Sequence, residues 1–483
     1  MFPSTLRFPI IAVLVVSAFD ASSSASPIHD AAALGDVHAV YRALRNGAPV
    51  DARDACGATP LIVAARNGHP QCADFLCRAG ADLHARTEDG FTALMVAAAN
   101  GRQACLRRLI DAGADPDLRS DTGGTALAIA AWAGESGCVA QLLDAGARTS
   151  VRDDRGYTAL MLAAYRDAAC VDLLIGAGAD LDAATPDGET PLMIAAWAGN
   201  CAAIRSLARA GADPDIADNT GETALTHAAR ENALTSIRAL VEAGADVNKP
   251  NASGETALML AAGFATADAV KCLLQLGACV DARSHRGETA LTYAAGQGSL
   301  PSLLELLRAG ANIEARNELE GTALMAAALG GHAGCLRALL DAGANVNAAN
   351  AHGYTALMAA AAGGDGRTLK ALLDAGAAIN AKSRRGSSAL MAAALNGHAA
   401  CVELLIRAGI DVDSTDNKGR TALMAAAWRG NAPCVDLLVR AHARVNAKTI
   451  RGETALQLAR DRQPADREKQ PIVDLLVNAA LDE

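Results

Sequence analysis

A five-residue phrase of the form Gly-x-Thr-Ala-Leu returns at a nearly fixed interval and governs what this chain of 483 residues can become. Its Thr falls at 59, 92, 125, 158, 190, 223, 256, 289, 322, 355, 421 and 454, with Ser388 in the one remaining place. Each step is 33 residues except the 32 between Thr158 and Thr190, and Ser26-Pro27-Ile28-His29 stands 33 residues ahead of Thr59-Pro60-Leu61-Ile62. The series therefore holds fourteen units. Length alone would suggest several compact domains, but a period of this size marks a stack of small similar units.

Within one unit, for example Thr92 to Asp115, an apolar stretch (Ala93 to Ala99) is followed by a turn at Gly101. A second stretch, from about Ala104 to Ala112, ends at Gly113, where helix C-termini favour glycine. Ala-Asp-Pro-Asp-Leu and a polar turn ending in Gly123 complete the unit. Two short helices and a β-turn in 33 residues resemble the ankyrin repeat, and the match runs from about Ser26 to Leu481. The phrases from His398 to Leu405 and Ala-Gly-Ala-Asp resemble that family's second helix and hairpin entry. The resemblance implies an all-α repeat solenoid of helix-turn-helix repeats with β-hairpin loops, stacked in a curved array.

Neither helix is long enough to bury its face alone, so the core must run continuously from unit to unit. Just over half of the residues are hydrophobic but only 3% are aromatic, which suits thin elements approaching closely on Ala and Leu. The pentad Thr resembles the family's helix-start residue, whose hydroxyl satisfies an unpaired backbone N–H. Residues 26–56 are expected to form an N-terminal cap and 452–483 a C-terminal capping repeat, in which the charged run Arg460 to Gln470 replaces the usual turn. The unit after Thr158 lacks one turn residue near Asp167, and those from Thr223 and Thr256 lack the Gly-His turn, so a local change of stacking or a softer hinge is expected there.

Residues 1–25 stand apart. Arg7 precedes an apolar run from Phe8 to Phe19, and small residues follow through Ala25, the layout of a secretory signal peptide. The run is too short to span a bilayer comfortably. Cleavage and export, to the periplasm or beyond the cell, are the expectation. An uncleaved N-terminal anchor and a cytosolic chain with a misplaced start are the alternatives, and twelve cysteines weigh toward the reducing compartment.

Those cysteines follow the repeat. Cys72, Cys105, Cys138, Cys335, Cys401 and Cys434 lie thirteen residues after their pentad Thr or Ser, and Cys170 matches once the deletion is counted. Equivalent positions in stacked helices are separated by about 8–10 Å, whereas a disulfide needs Cα atoms about 4.4–6.8 Å apart. They are therefore expected to be small buried hydrophobes. Met95, Met161, Met193, Met259, Met325, Met358, Met391 and Met424 all follow their Thr or Ser by three. A metal or redox buffer of Met and Cys is a distinct reading, but soft ligands spread one per repeat do not converge on an ion. His69, His332 and His398 follow a turn glycine and are expected to fasten helices, without zinc-ligand spacing.

The sequence contains no Gly-rich phosphate loop, no Gly-x-Ser-x-Gly elbow and no His-Glu-x-x-His. No enzyme, cofactor or metal site is expected. A formal charge of −10 argues against nucleic acid as a partner. By resemblance, a partner protein docks on the concave face built from hairpin tips and exposed first-helix positions. With the pentad Thr counted as zero, these are about −6, −4, −3, −1, +7 and +8. Trp132, Trp197, Trp428 and Tyr165 fall at +7, Phe91, Tyr157 and Tyr354 at −1, and Phe264 at +8, which is eight of the eleven aromatics beyond the leader. Phe91, Trp132, Tyr157, Tyr165 and Trp197 come from four successive repeats and are expected to form one interface patch. Arg66, Arg86, Arg119, Arg152 and Asp153 would supply its polar rim. The expected function is a protein-binding scaffold or adaptor, exported; a secreted effector or a cytosolic regulatory scaffold keeps the fold and changes the setting.

Overall fold

The computed structural model describes residues 26–264, 266–461 and 466–482, with the backbone alone for 466–469 and 482. The leader and part of the Arg460 to Gln470 run lie outside the described residues. The described chain forms twenty-eight helices in fourteen pairs, from Pro27–Leu34 with Val37–Arg45 to Ala455–Asp461 with Asp466–Asp482. It divides into two compact units, one running to Ala228 and taking in Ala233–Asp246, the other comprising Ala229–Asn232 and Val247 onward.

Each first helix begins where the pentad Thr can cap it. Thr92 has extended backbone (φ −89°, ψ 166°) and its Oγ1 accepts the N–H of Met95 at 3.3 Å. Thr59, Thr125, Thr158, Thr190, Thr289, Thr355, Ser388 and Thr421 repeat that bond. Such a cap contributes about 1 kcal/mol, and these helices are too short to form unaided. The one-residue deletion is absorbed at Asp167, which ends Ala159–Arg166 and also caps Ala168–Gly176, accepting the N–H groups of Ala169 and Cys170. A single side chain thus does the work of a turn glycine and a separate cap.

Within each unit, first helices pack on first helices and second on second, as Ala323–Leu329 does on Ala356–Gly363 and Cys201–Ala210 on Ala168–Gly176. Leu and Ala fill the space between them: Leu61, Leu160 and Leu390 are fully buried, as are the Ala64-Ala65 and Ala393-Ala394 pairs. The thirteenth-position cysteines lie in this core, and none of the twelve cysteines forms a disulfide. Burial raises the pKa of the thirteenth-position thiols, to about 11 for Cys105, Cys335 and Cys434 and about 12 for Cys138, where Glu135 adds to the effect. The methionines at +3 are buried too.

The repeats are tied by side chains that reach a neighbour's backbone. Nε2 of His69, His332 and His398 meets the carbonyls of Ala33, Gly296 and Ala362 at 2.9, 3.0 and 2.9 Å. These histidines therefore fasten one repeat to the one before it, rather than the two helices of their own repeat. Where the Gly-His turn is missing, Asn232 adopts φ 56° and its Oδ1 accepts the Thr266 hydroxyl at 2.9 Å. Along the loops, carboxylates and amides accept N–H groups 31 residues on: Asp51 from Asp82, Asp281 from Asn312 and Asp413 from Arg444, at 3.0, 2.8 and 2.8 Å.

The hairpin tips are turns rather than strands. The N–H at −5 donates to the carbonyl at −1, as Asp153 does to Tyr157 at 2.9 Å, and one isolated bridge, Ala349 with Thr355, occurs outside any strand. Adjacent tips are joined at most such steps by backbone bonds, for example Asn417 N–H to the Arg385 carbonyl and Ile450 N–H to the Lys418 carbonyl, both 3.0 Å, whereas Pro186 has no N–H to give.

Gly364 shows how tightly this is set. It sits at φ 81°, and a Cβ there would lie 2.5 Å from Nδ1 of His398. Gly364→Ala is therefore expected to cost more than about 1 kcal/mol, with part of that cost removed in a His398→Ala background because contacting residues couple. Hydrogen exchange of the amides at the end of Ala356–Gly363 measures both variants locally; equal protection loss in the two backgrounds would show that the ring plays no part.

Candidate functional site

Hairpin tips and the ends of first helices form one face in each unit, and the residues singled out from the sequence divide on it. At −1, Phe91 and Tyr157 are buried, at 5% and 7% exposure, while Tyr354 is half-buried. Their backbone is held on both sides, since the N–H of Tyr157 donates to Asp153 Oδ1 at 2.8 Å and its carbonyl closes the turn. The Tyr157 hydroxyl then donates to Glu189 Oε2 at 3.0 Å, the −1 residue of the next repeat. The Tyr157 side chain is held by the next repeat, and with Phe91 equally buried neither is the exposed anchor its register suggests.

At +7 the same geometry operates between rings. Trp132 stacks on Tyr165 with centroids 5.4 Å apart and planes 12° from parallel, and the Arg166 guanidinium stands 6.0 Å from the Trp132 ring. Trp132 is buried in consequence, and Tyr165 and Trp197 are half-buried. Phe264, at 49% exposure with Arg230 6.0 Å away, and Trp428, at 48% with Arg429 5.6 Å away, remain open.

The rim arginines are committed to the array. Arg86 donates to the Arg119 carbonyl at 2.7 Å and to Asp121 at 2.9 Å, Arg119 to Asp154 at 2.7 Å, and Arg152 to the Ala184 carbonyl at 2.5 Å. Each spans one repeat, so these side chains hold successive tips in register. Arg66, at +7, is half-buried and its carbonyl accepts from Arg102 at 3.1 Å. Asp153 is buried and accepts the N–H groups of Arg155 and Tyr157.

Two of the rings named from the sequence, Tyr354 and Trp428, line a cleft in the second unit whose other walls sequence reasoning missed. Its volume is about 490 Å³, and it opens between the tips and first helices of the repeats that begin near Ser388, Thr421 and Thr454. Leu395 and Trp428 at +7 and Ile450 at −4 supply apolar walls, with Leu395 36% and Ile450 76% exposed. Lys418, Arg420 and Arg451 line it from the tips. Asp416 lies beneath: burial would raise its pKa, but bonds from Arg420 and from the N–H groups of Lys418 and Arg420 outweigh that and hold it below the usual carboxylate range. Ile450, an apolar residue at a hairpin tip, was the available signal.

The family model for ankyrin repeats (3 copies) matches seven overlapping stretches, residues 28–120, 105–185, 167–251, 248–317, 297–383, 361–449 and 390–482. The chain belongs to the ankyrin-repeat family. No curated protein matches it. Ankyrin repeats are in general protein–protein interaction modules, and the cleft is lined by residues at register positions between −5 and +8. No described helix is long and apolar enough to cross a membrane.

Asp416 gives this part of the ankyrin array an acid limit. Its native pKa is lowered, so the charge stabilises the fold above the unfolded value of about 4, and that contribution is lost as pH falls further. Urea midpoints of the full chain are expected to drop less between about pH 6 and about pH 3 in Asp416→Asn than in the parent chain. Identical slopes would mean that the Asp416–Arg420 pair does not govern acid unfolding.

Proposed function

We propose that this ankyrin array is a non-catalytic scaffold that docks a protein partner on its hairpin and first-helix face. The observation that carries the reading is where polar and apolar groups are spent. Eight of the twelve thiols and the thioethers at +3 are in the core, whereas open aromatic and aliphatic side chains, Phe264 and Trp428 with Leu395 and Ile450, stand on the face made by tips and first helices. Large apolar side chains grouped on such a surface are the usual anchors of an interface. The acidic chain as a whole disfavours nucleic acid.

The half-buried Trp197 and Tyr165, with Arg66 beside them in register, extend the proposed surface into the first unit. The tip arginines Arg86, Arg119 and Arg152 contribute to it by holding the tips in place. Residues 26–483 are proposed as the working array, with 26–56 and 452–483 as its caps. Export is part of the proposal, resting on the leader pattern around Arg7 and Phe8 to Phe19, and the burial of most thiols makes an oxidising compartment tolerable.

Two measurements test the reading. Cross-linking and mass spectrometry on the chain recovered from its native cells should place a partner's cross-links on the tips and the ends of first helices. Cross-links confined to the outer side of second helices, near Arg78, Arg107 or Lys370, would sink the docking face. Intact mass of the same material should lack about 25 residues in an extracytoplasmic fraction; a full-length chain held in the cytosol would sink export and leave docking untouched.

A further inference from the structure

The −3 position of the repeat, at the hairpin tip, changes character along the chain. It is mixed in the first unit, with Asp89, Arg155 and Asp187 among uncharged residues, and Arg286 stands alone early in the second, but three successive repeats there carry Arg385, Lys418 and Arg451. All three side chains are exposed, and none has a partner among the described residues. They are spaced by one repeat each, joined through their backbones: the Arg385 and Lys418 carbonyls accept the tip N–H groups of Asn417 and Ile450. Uncommitted cations in three consecutive repeats are unexpected in a chain of formal charge −10, whose tip arginines at −6, such as Arg86 and Arg152, are tied to a neighbouring repeat.

A second track runs beside the first. Leu395 and Trp428 occupy +7 in consecutive repeats, and Ile450 at −4 stands on the tip between Lys418 and Arg451 in the lining of the same cleft. Of the carboxylates that line it, Asp416 is paired with Arg420 at 2.7 Å, and Glu453 accepts the Thr449 hydroxyl at 3.2 Å and keeps its charge, which the Lys418 and Arg451 cations outnumber. What remains open is an apolar trough with positive charge along one edge. Its volume of about 490 Å³ falls inside the range of built binding pockets, about 300–1,000 Å³.

We infer that this cleft docks an acidic segment of a partner protein, one in which a large apolar side chain is flanked by Asp or Glu. The inference rests on the docking function proposed above and assigns it a place and a partner chemistry. The apolar side chain enters between Leu395, Trp428 and Ile450, and its acidic neighbours meet Arg385, Lys418 and Arg451. Carboxylates suit these cations because they are single charges spread over three tips; a polyphosphate backbone wants a denser cationic array and is repelled by the acidic remainder of the chain.

The test uses the full chain and a phage library of random twelve-residue peptides. Selected peptides are expected to carry Leu, Phe or Trp flanked by Asp or Glu. A fluorescein-labelled synthetic copy should lose about tenfold or more in affinity with Trp428→Ala and with the pair Lys418→Glu and Arg451→Glu, and should weaken as salt rises. These side chains are exposed, so the melting curves should stay where they are, and a fall in binding then reports the cleft. Selection of peptides without acidic residues, binding indifferent to these variants, or no enrichment at all would overturn the inference. So would a single-stranded oligonucleotide that binds, tolerates Trp428→Ala and is lost with the charge-reversed pair, since the site would then read phosphate. Peptides whose exchange footprint lies on residues 91–197 would overturn this site while leaving the docking face itself in place.

Discussion

Everything in this molecule depends on a repeat capturing polar backbone groups of the repeat beside it. A helix of seven to ten residues cannot stabilise itself, and a loop of turns has no sheet to satisfy it. The solution is local and repeated: His398 takes the Ala362 carbonyl, Asp281 takes the Asn312 N–H, and Arg152 takes the Ala184 carbonyl. These bonds connect residues 31 to 36 apart and stop there. The apolar core obeys the same rule, because each Leu and Ala is covered by its own repeat and its neighbours.

That rule explains why the aromatic residues divide as they do. A large ring on a regular surface meets the equivalent position of the next repeat. Where that position also carries a ring, the two stack, as Trp132 and Tyr165 do, and both withdraw from solvent. At +7 a neighbouring register position without a ring leaves Trp428 open, whereas at −1 Phe91 is buried although Gly124 is its counterpart. Trp428 follows Leu395 and Ala362 at the same register, and a cleft results instead of a stacked pair. The openness of Trp132 and Trp428 at +7 thus differs with the residue a repeat away.

Most of the fold was legible in the sequence because periodicity carries it. The pentad placed the helix starts, the thirteenth and third positions placed the buried Cys and Met, and the missing residue after Thr158 fell at a turn. The site was legible only as a face. Phe91, Tyr157 and the tip arginines were read as exposed from register, which says which side of a repeat a residue occupies but not whether its atoms are spent on the next one. Glu189 under Tyr157 and Asp154 under Arg119 are long-range facts of stacking. The row Arg385, Lys418 and Arg451 was present in the spacing all along, and it gained meaning once the apolar cleft beside it was visible.

The tip-to-tip backbone bonds have a mechanical side. Each is a hydrogen bond between neighbouring repeats, so a load applied along either unit is borne by short links in series rather than by one sheet pulled in shear. Such a chain yields one element at a time, and each released repeat of 33 residues pays out about 110 Å of contour at roughly 3.3–3.6 Å per residue. An array built this way behaves as an extensible tether as well as a platform, lengthening stepwise under tension and closing again as its neighbours template the lost turn.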